Sequence, residues 1–278
     1  MLDIVIPREE WDTVEQYLIY LSQLAAYVVF ASEFIADKSV LEIGCGGGYG
    51  ADYISKFALK TVSIDINKLV VYHSQAKYGD TVNFMMGDGT RLPFKAESFD
   101  LVVSFQVIEH IDLKRLLHYL SEIKRVLTKN GVFILSTPNR KLRLLPFQMP
   151  WNPEHTKEYS RKELRHLLGK VFEEVKVYGM CSSEEIVSIE KKRVKQNPFV
   201  IYLMSPTYRM LGYILPPAIL FRMKRLVLEN LFKSKNHNTL IPQETLSRRF
   251  SVHDYKVDPS CPKDSLDLVA ICPKGARS

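Results

Sequence analysis

The spacing of apolar residues changes near residue 40. Between residues 10 and 35, apolar positions return every three or four residues, which predicts a helix with one buried face. Beyond residue 40, short runs that are apolar throughout alternate with amphipathic stretches. The runs predict strands at residues 40–43, 61–66, 82–86, 99–104 and 132–137, and the stretches predict helices at residues 51–57, 69–77 and 113–127. Continuously apolar strands separated by helices are typical of a parallel sheet covered on both faces.

The remainder of the chain breaks this alternation. A helix is predicted at residues 161–168 and strands at residues 173–177 and 267–272, and the stretch between those two strands is too long for an ordinary loop. We therefore predict an α/β fold with a doubly wound, mostly parallel, seven-stranded sheet and a helical insertion before the last strand. The predicted parts are an N-terminal helical segment (1–37), a ligand-binding core (38–180), a basic, apolar insertion (181–247) and a C-terminal strand that completes the sheet (248–278).

Charge is unevenly distributed and singles out the insertion. The whole chain of 278 residues carries a formal net charge of +7, but residues 186–236 alone contain ten Lys or Arg and two Glu, a local net charge of +8. The four cysteines lack metal-binding spacing, and the first segment is acidic, unlike the basic start of a signal peptide. These features predict a reducing, cytoplasmic setting.

The loop after the first core strand is rich in glycine. VLEIGCGGGYG, residues 40–50, holds five glycines within seven positions. Such a strand-to-helix turn brings backbone N–H groups close to a ligand. The dinucleotide fingerprint G-x-G-x-x-G fails when it starts at Gly44, because Tyr49 takes its last position, and no Gly-Lys-Ser/Thr follows to make a P-loop.

Three carboxylates stand at or near the ends of the first three core strands. Asp65 closes the second strand about twenty residues after the loop, where a carboxylate can accept both hydroxyls of a ribose. Asp88 follows the third strand, where it can accept a hydrogen bond from an adenine amino group. Glu42 lies inside the apolar first strand and needs a partner. Together they suit a ligand with a ribose, an adenine and a positive charge.

Five motifs in this order and spacing carry a family resemblance. The runs VLEIGCGGGYG, SIDIN, GDGTRLPF, FDLVVSFQVIEHI and KRVLTKNGVFILSTPN resemble those of class I S-adenosylmethionine-dependent methyltransferases, in the group that includes quinone, sugar and natural-product O-methyltransferases. The resemblance implies a Rossmann-like methyltransferase fold and S-adenosyl-L-methionine as cofactor. It places the methionine portion at the first strand and glycine loop, the ribose at Asp65 and the adenine at Asp88. The predicted cofactor-binding set is Glu42, Gly44, Gly46, Asp65, Ile66, Asp88, Gly89 and Gln106.

The residues for the chemistry follow the fourth and fifth strands. Methyl transfer to a hydroxyl requires alignment of the two reactants and loss of the hydroxyl proton to a base or with the help of a metal ion. Glu109 and His110 in SFQVIEHI lie at a strand end, and His155 in NPEHTKEYS follows the next strand. We predict these three as catalytic residues without a metal. The alternatives are a divalent ion held by the same three side chains, or purely structural roles.

The metal alternative also has a counterpart among known families. With Gln106, the three residues resemble the metal-binding set of plant small-RNA 2′-O-methyltransferases, which have a carboxylate at the position of Gln106. The loss of that carboxylate weakens the case for a hard cation such as Mg²⁺, which prefers oxygen anions.

The insertion combines apolar and basic residues. Residues 198–221 contain one charge, Arg209, and four prolines, which argue against a membrane span. Three interpretations stay open: a helical lid over the substrate pocket, an element lying on an anionic membrane surface, or an oligomer contact. The flanking basic residues are Lys191, Lys192, Arg193, Arg222, Lys224 and Arg225.

These features predict an enzyme that methylates an oxygen of a small, hydrophobic or lipid-linked acceptor. The protein is expected in the cytoplasm, with peripheral association at the inner face of the membrane as a further prediction. The alternatives are an RNA-modifying methyltransferase and a non-catalytic partner subunit that binds S-adenosylmethionine. Nucleic acid is the less favoured partner, because the sequence shows no recognisable RNA-binding module. The sequence leaves the oligomeric state open.

Overall fold

The computed structural model describes residues 10–144, 150, 152, 154–195, 219 and 240–275. Most of the predicted insertion, including nearly all of its apolar centre at residues 198–221, lies outside the described residues. The lid and the membrane-surface element therefore stay predictions from sequence.

Ten strands and nine α-helices follow one another in the described residues. The strands are β1 (Glu10–Trp11), β2 (Ser39–Ile43), β3 (Lys60–Asp65), β4 (Asn83–Met86), β5 (Phe99–Phe105), β6 (Leu127–Pro138), β7 (Lys176–Cys181), β8 (Ile241–Pro242), β9 (Lys256–Asp258) and β10 (Asp267–Pro273). The helices are α1 (Val14–Ala25), α2 (Ser32–Ile35), α3 (Tyr49–Ser55), α4 (Lys68–Tyr78), α5 (Leu116–Val126), α6 (Arg140–Arg143), α7 (Arg161–Leu168), α8 (Glu184–Lys195) and α9 (Gln243–Ser247). A π-helical turn, Ala26–Ala31, joins α1 to α2, and a 3₁₀ turn covers Val252–Asp254.

Eight strands form one sheet in the order β4-β3-β2-β5-β6-β10-β7-β9. Neighbours from β4 to β6 are parallel, whereas β10 runs antiparallel between β6 and β7. This confirms the doubly wound, mostly parallel α/β sheet. The seven predicted strands are present, and the short edge strand β9 adds an eighth that the sequence did not reveal. The strand predicted at residues 173–177 was misplaced, since β7 begins at Lys176.

The two faces of the sheet are covered by different helices. Along β5, Leu101 and Val103 pack toward the N-terminal helical segment, whereas Val102 packs toward α5 and α7. Successive side chains of a strand point to opposite faces, so an unbroken apolar run supplies both layers. All three of these side chains are buried.

The N-terminal segment is more irregular than the single helix predicted for residues 10–35. Residues 10 and 11 form β1, and the π-helical turn interrupts the α-helical path. The run Val14–Ile35 is long and apolar enough to cross a membrane, with a mean hydropathy of 1.6 over its most apolar 18 residues, but 56% of those residues are buried. Its aromatic rings pack on the sheet, as Tyr27 does edge-on against Phe105 at 4.8 Å between ring centroids. Packing against the core thus accounts for its apolar character.

The position of the Tyr27 ring explains why residue 50 is a glycine. A Cβ atom at Gly50, in the first turn of α3, would overlap the ring of Tyr27. The glycine therefore lets the N-terminal segment approach α3 closely. Tyr27 is nearly inaccessible to solvent.

We expect Gly50→Ala to destabilise the protein, although alanine is the better helix former by about 1 kcal/mol. Overpacking against the Tyr27 ring is expected to lower the free energy of unfolding by about 1–3 kcal/mol, because the ring is buried and is hydrogen-bonded to Glu42. Urea unfolding followed by circular dichroism measures the change. A variant as stable as the wild type, or more stable, would contradict the close approach.

Candidate active site

The glycine loop leaves β2 with a backbone that only glycine adopts easily. Gly44, Gly46 and Gly48 have φ angles of +86°, +49° and +77°. The loop is tied to β3, because the N–H of Gly44 donates to the carbonyl of Ile64 at 2.8 Å. A Cβ atom at Gly46 would meet no heavy atom within 4 Å, so the backbone there faces open space. The loop is therefore rigidly placed and accessible at Gly46.

Asp65 and Ile66 lie beside the loop at the end of β3. The Asp65 carboxylate accepts hydrogen bonds from the N–H groups of Gly46 at 3.3 Å and Asn67 at 2.8 Å. Burial raises the pKa of Asp65, and these backbone hydrogen bonds oppose that effect. Ile66, the next residue, is 71% exposed although it is apolar, and Met86 at the end of β4 is 61% exposed. Asp65 thus borders an accessible apolar surface.

Asp88 has protein partners of its own. Its carboxylate accepts hydrogen bonds from the backbone and hydroxyl of Thr90, and Arg115 pairs with it at 2.6 Å. Burial raises the pKa of Asp88, but these partners outweigh burial and lower it. Gly89 is tightly packed, since a Cβ atom there would lie 2.9 Å from the Tyr119 ring and 3.0 Å from Ile43. The carboxylate therefore stays ionised and is held by Arg115.

Glu42 is buried beneath the glycine loop. Its two oxygens accept hydrogen bonds from the hydroxyl groups of Tyr27, at 2.7 Å, and of Ser63. Burial raises its pKa to about 7, although both hydrogen bonds act in the opposite direction. The structure presents Glu42 as a partner of Tyr27 and Ser63, whereas the family resemblance implies contact with the methionine portion of the cofactor.

Gln106 begins the turn that follows β5. Its φ angle is +56°, a backbone conformation that residues other than glycine rarely adopt. Its N–H donates to the carbonyl of Ser136 at 2.9 Å. Such outliers persist where the surrounding structure enforces them. The next residue, Val107, packs directly on Gly44, so that a Cβ atom at position 44 would overlap it. The turn after β5 therefore adjoins the glycine loop.

Glu109 lies in the same turn and is fully buried. One carboxylate oxygen, Oε2, accepts a hydrogen bond from the Thr137 hydroxyl at 3.0 Å, whereas Oε1 has no partner among the described residues. Burial raises the pKa of Glu109 to about 7. Its backbone carbonyl accepts a hydrogen bond from the N–H of Thr156 at 2.7 Å, which brings the segment after α6 onto this turn.

His110 and His155 meet as a result. Their rings stand perpendicular with centroids 4.7 Å apart, and ligand atoms from Glu109, His110 and His155 lie within 4.8 Å of one another. Burial, together with His155, lowers the pKa of His110 to about 4, so its ring is neutral at pH 7. Nδ1 of His155 lies 3.0 Å from Oε1 of the buried Glu158. The structure thus brings the three predicted catalytic residues together and adds Glu158.

Comparison with known proteins shows which proteins this chain resembles. Residues 41–135 match the family described as methyltransferase domains. A protein of Mycolicibacterium smegmatis named a "probable S-adenosylmethionine-dependent methyltransferase" is 42% identical over 133 residues, which cover 48% of this chain and 51% of the relative. A solved S-adenosylmethionine-dependent methyltransferase from Thermotoga maritima, titled a possible histamine N-methyltransferase, shares the fold with a TM-score of 0.55 at 17% identity, covering 94% of this chain and 91% of the other.

Residues 41–135 thus carry a methyltransferase domain of the class I S-adenosylmethionine-dependent kind.

The cofactor of this family is S-adenosyl-L-methionine. The matched residues include the glycine loop, Asp65, Asp88 and the turn after β5, but not His155. A fatty-acid O-methyltransferase of M. smegmatis is 32% identical over 132 residues, covering 46% of this chain and 46% of the relative. The methyltransferase matches span about half the length of these curated relatives.

Sequence reasoning missed the hydrogen-bond partners of the candidate site residues. Tyr27 and Arg115 come from other elements, and no local spacing links them to Glu42 or Asp88. The partnership of Glu158 with His155 could have been predicted from the sequence, because Glu158 follows His155 by three residues. A carboxylate that close to a histidine often orients its ring.

Glu42 should make stability fall as the pH rises. Its folded-state pKa of about 7 lies above the ordinary value of 4.5, so the folded protein holds the proton more tightly than the unfolded chain does. Stability is then highest below pH 4.5 and declines toward pH 7, by on the order of 2–3 kcal/mol for this carboxyl. Glu42→Gln is expected to flatten that decline in urea unfolding between pH 5 and 8, whereas Glu33→Gln, at an exposed site, is expected to leave it unchanged. Equal slopes for wild type and Glu42→Gln would contradict the assignment.

Proposed function

We propose that this chain transfers a methyl group from S-adenosylmethionine to an oxygen of a small, hydrophobic or lipid-linked acceptor. The observation that carries the proposal is the contact of Val107 with Gly44, which sets the Glu109, His110 and His155 cluster beside the glycine loop. A methyl donor at the loop would then lie next to groups that promote loss of an acceptor proton. In open α/β sheets, ligands bind at this edge, where the parallel strands end.

The loop region has the features that the cofactor requires. We assign the ribose hydroxyls to Asp65, whose carboxylate is oriented by two backbone N–H groups, and the methionine portion to the open backbone at Gly46. The exposed side chain of Ile66 suits one face of the adenine, and Asp88 suits its amino group. Glu42 supports the loop from below through Tyr27 and Ser63.

The chemistry divides between cofactor and protein. When bound, S-adenosylmethionine supplies an electrophilic methyl group, so the chain's own residues mainly align the acceptor and promote loss of its proton. Glu109 has a pKa near neutrality because it is buried, and His110 is neutral for the same reason. Groups that titrate near the working pH, or keep a free lone pair there, suit proton removal.

The acceptor class rests on two supports. The relative from M. smegmatis is named a fatty-acid O-methyltransferase, and the segment from residue 191 to 225 combines apolar and basic residues suited to an anionic lipid surface. Two of those basic residues also have protein partners, since Lys191 pairs with Asp264 at 2.9 Å and Arg193 with Glu190 at 2.6 Å. Both pairs are partly exposed and contribute little to stability.

Asp65→Asn should weaken binding of the cofactor product S-adenosylhomocysteine by about 10–100-fold. The substitution keeps the shape and a carbonyl oxygen but removes the charge, and a hydrogen bond to a charged group contributes about 1.5–3 kcal/mol. Isothermal titration calorimetry measures the change. Asp80→Ala, at an exposed aspartate on the turn after α4, is the control and should bind as the wild type does. Equal affinities for wild type and Asp65→Asn would refute the ribose assignment.

Transfer from labelled S-adenosylmethionine identifies the acceptor class. The purified chain is incubated with separate lipid, small-molecule and RNA extracts, and label in each fraction is counted. We expect label in the lipid fraction or among hydrophobic small molecules, and a higher rate when the lipid extract is presented in anionic vesicles. Label in RNA would overturn the acceptor assignment, and binding of S-adenosylmethionine without label in any fraction would indicate a non-catalytic partner subunit.

A further inference from the structure

Asp267 is a buried carboxylate at the edge of the sheet where the candidate site lies. It is the first residue of β10 and lies opposite Pro138, the last residue of β6. Because β10 runs antiparallel to β6, its start lies at the edge where the parallel strands end. The side chain is only 4% exposed, so the carboxylate needs partners within the protein.

Three segments of the chain supply those partners. Oδ2 of Asp267 accepts a hydrogen bond from the hydroxyl of Ser22 in α1 at 2.5 Å. Oδ1 pairs with the guanidinium of Arg143 in α6 at 3.5 Å, and the side chain of Gln106, in the turn after β5, also hydrogen-bonds to the carboxylate. Burial raises the pKa of Asp267, and all three partners act in the opposite direction. Asp267 therefore joins α1, α6 and the turn after β5.

The contact with Asp267 determines which end of the Gln106 amide is free. An ionised carboxylate only accepts hydrogen bonds, so the NH₂ group of the amide must face it. The same nitrogen, Nε2, donates to the hydroxyl of Ser136 at 3.3 Å. Both hydrogens of the amide are then used, whereas Oε1 accepts no hydrogen bond from the described residues. The oxygen of Gln106 is therefore left to accept a hydrogen bond from a ligand.

The cofactor carries a donor that suits this oxygen. Gln106 precedes Val107, which packs on Gly44 in the glycine loop. The ammonium group of the methionine portion, which we assign to that loop, is a charged donor and forms stronger hydrogen bonds than a neutral N–H does. The left-handed backbone of Gln106 is a conformation that persists where the surrounding structure enforces it. The amide oxygen is therefore held beside the loop to which we assign the ammonium group.

We propose that Asp267 is a positioning residue for the cofactor, because it holds the Gln106 amide with its oxygen toward the ammonium group of S-adenosylmethionine. An amide turned the other way would present its NH₂ group to a cation and its oxygen to the Asp267 carboxylate, and both contacts are repulsive. The inference rests on the proposed placement of the methionine portion at the glycine loop. It involves no acceptor, so it can be tested whatever molecule the chain methylates.

Binding of two related ligands tests the role of Asp267. S-adenosylhomocysteine carries the ammonium group, whereas 5′-methylthioadenosine keeps the nucleoside and the sulfur but lacks the amino-acid part. Isothermal titration calorimetry on the full chain, by displacement where binding is weak, measures both affinities. Asp267→Asn keeps the shape of the side chain but lets either end of its own amide face Gln106. We expect it to weaken S-adenosylhomocysteine binding about 10-fold and methylthioadenosine binding by less than about 2-fold, and we expect the same of Gln106→Leu.

The double variant separates positioning from a purely structural role. If Asp267 acts through Gln106, Asp267→Asn/Gln106→Leu should bind S-adenosylhomocysteine as weakly as Gln106→Leu alone does. Losses that multiply to about 100-fold, or equal losses for the two ligands, would overturn the proposal. Asp264→Asn is the matched control, since this side chain lies three residues before Asp267 and is 60% exposed. It should bind both ligands as the wild type does.

A further variant keeps the test decisive if Asp267→Asn fails to fold, because that substitution removes a partner of the buried Arg143 charge. Asp267→Asn/Arg143→Met removes both charges together, and Glu190 keeps Arg193 as its partner at 2.6 Å. We expect the same selective loss of S-adenosylhomocysteine binding. Unchanged affinity in either folded variant would overturn this inference alone. A wild-type chain that binds neither ligand would overturn the proposed function and this inference with it.

Discussion

The arrangement of this domain depends on how one buried carboxylate is satisfied. Glu42 lies in the central strand β2, and the hydroxyls of Tyr27 and Ser63 hydrogen-bond to it. A carboxyl group buried without partners would be strongly unfavourable, so the N-terminal segment must dock with Tyr27 in place. That docking in turn requires glycine at position 50. The N-terminal segment, β2, β3 and the glycine loop therefore form one connected arrangement, and the loop conformation is set by packing that surrounds it.

Two groups of candidate site residues lie side by side at the edge of the sheet where the parallel strands end. On one side, Asp65 holds the open loop at Gly46 through a backbone hydrogen bond. On the other, Glu109 is fully buried, and two partly buried histidines lie beside it. The contact between Val107 and Gly44 joins the two. Burial gives Glu109 a pKa near neutrality, so a group that is an anion in water becomes suited to proton transfer at this position.

The sheet could be predicted from the sequence, because it follows from local patterns, whereas the assignment of the site residues stays a prediction. Apolar runs identified the seven main strands, and the glycine loop with Asp65 and Asp88 identified the edge at which they end. The pairings of Tyr27 with Glu42 and of Arg115 with Asp88 could not be predicted, because they join residues whose proximity only tertiary packing creates. The three residues of β9 were also hidden, since they carry too little apolar pattern to stand out. The cytoplasmic setting and the membrane association stay predictions.

The most direct test of the account is a crystal structure with S-adenosylhomocysteine bound. We predict the product at the carboxyl ends of β2 and β3, with its ribose hydroxyls about 2.7 Å from the Asp65 carboxylate and its sulfur facing the Glu109 cluster. Glu42 is predicted to keep Tyr27 and Ser63 as partners. A product bound elsewhere on the sheet, or one whose sulfur faces away from Glu109, would contradict the proposal that the loop and the cluster form one active site.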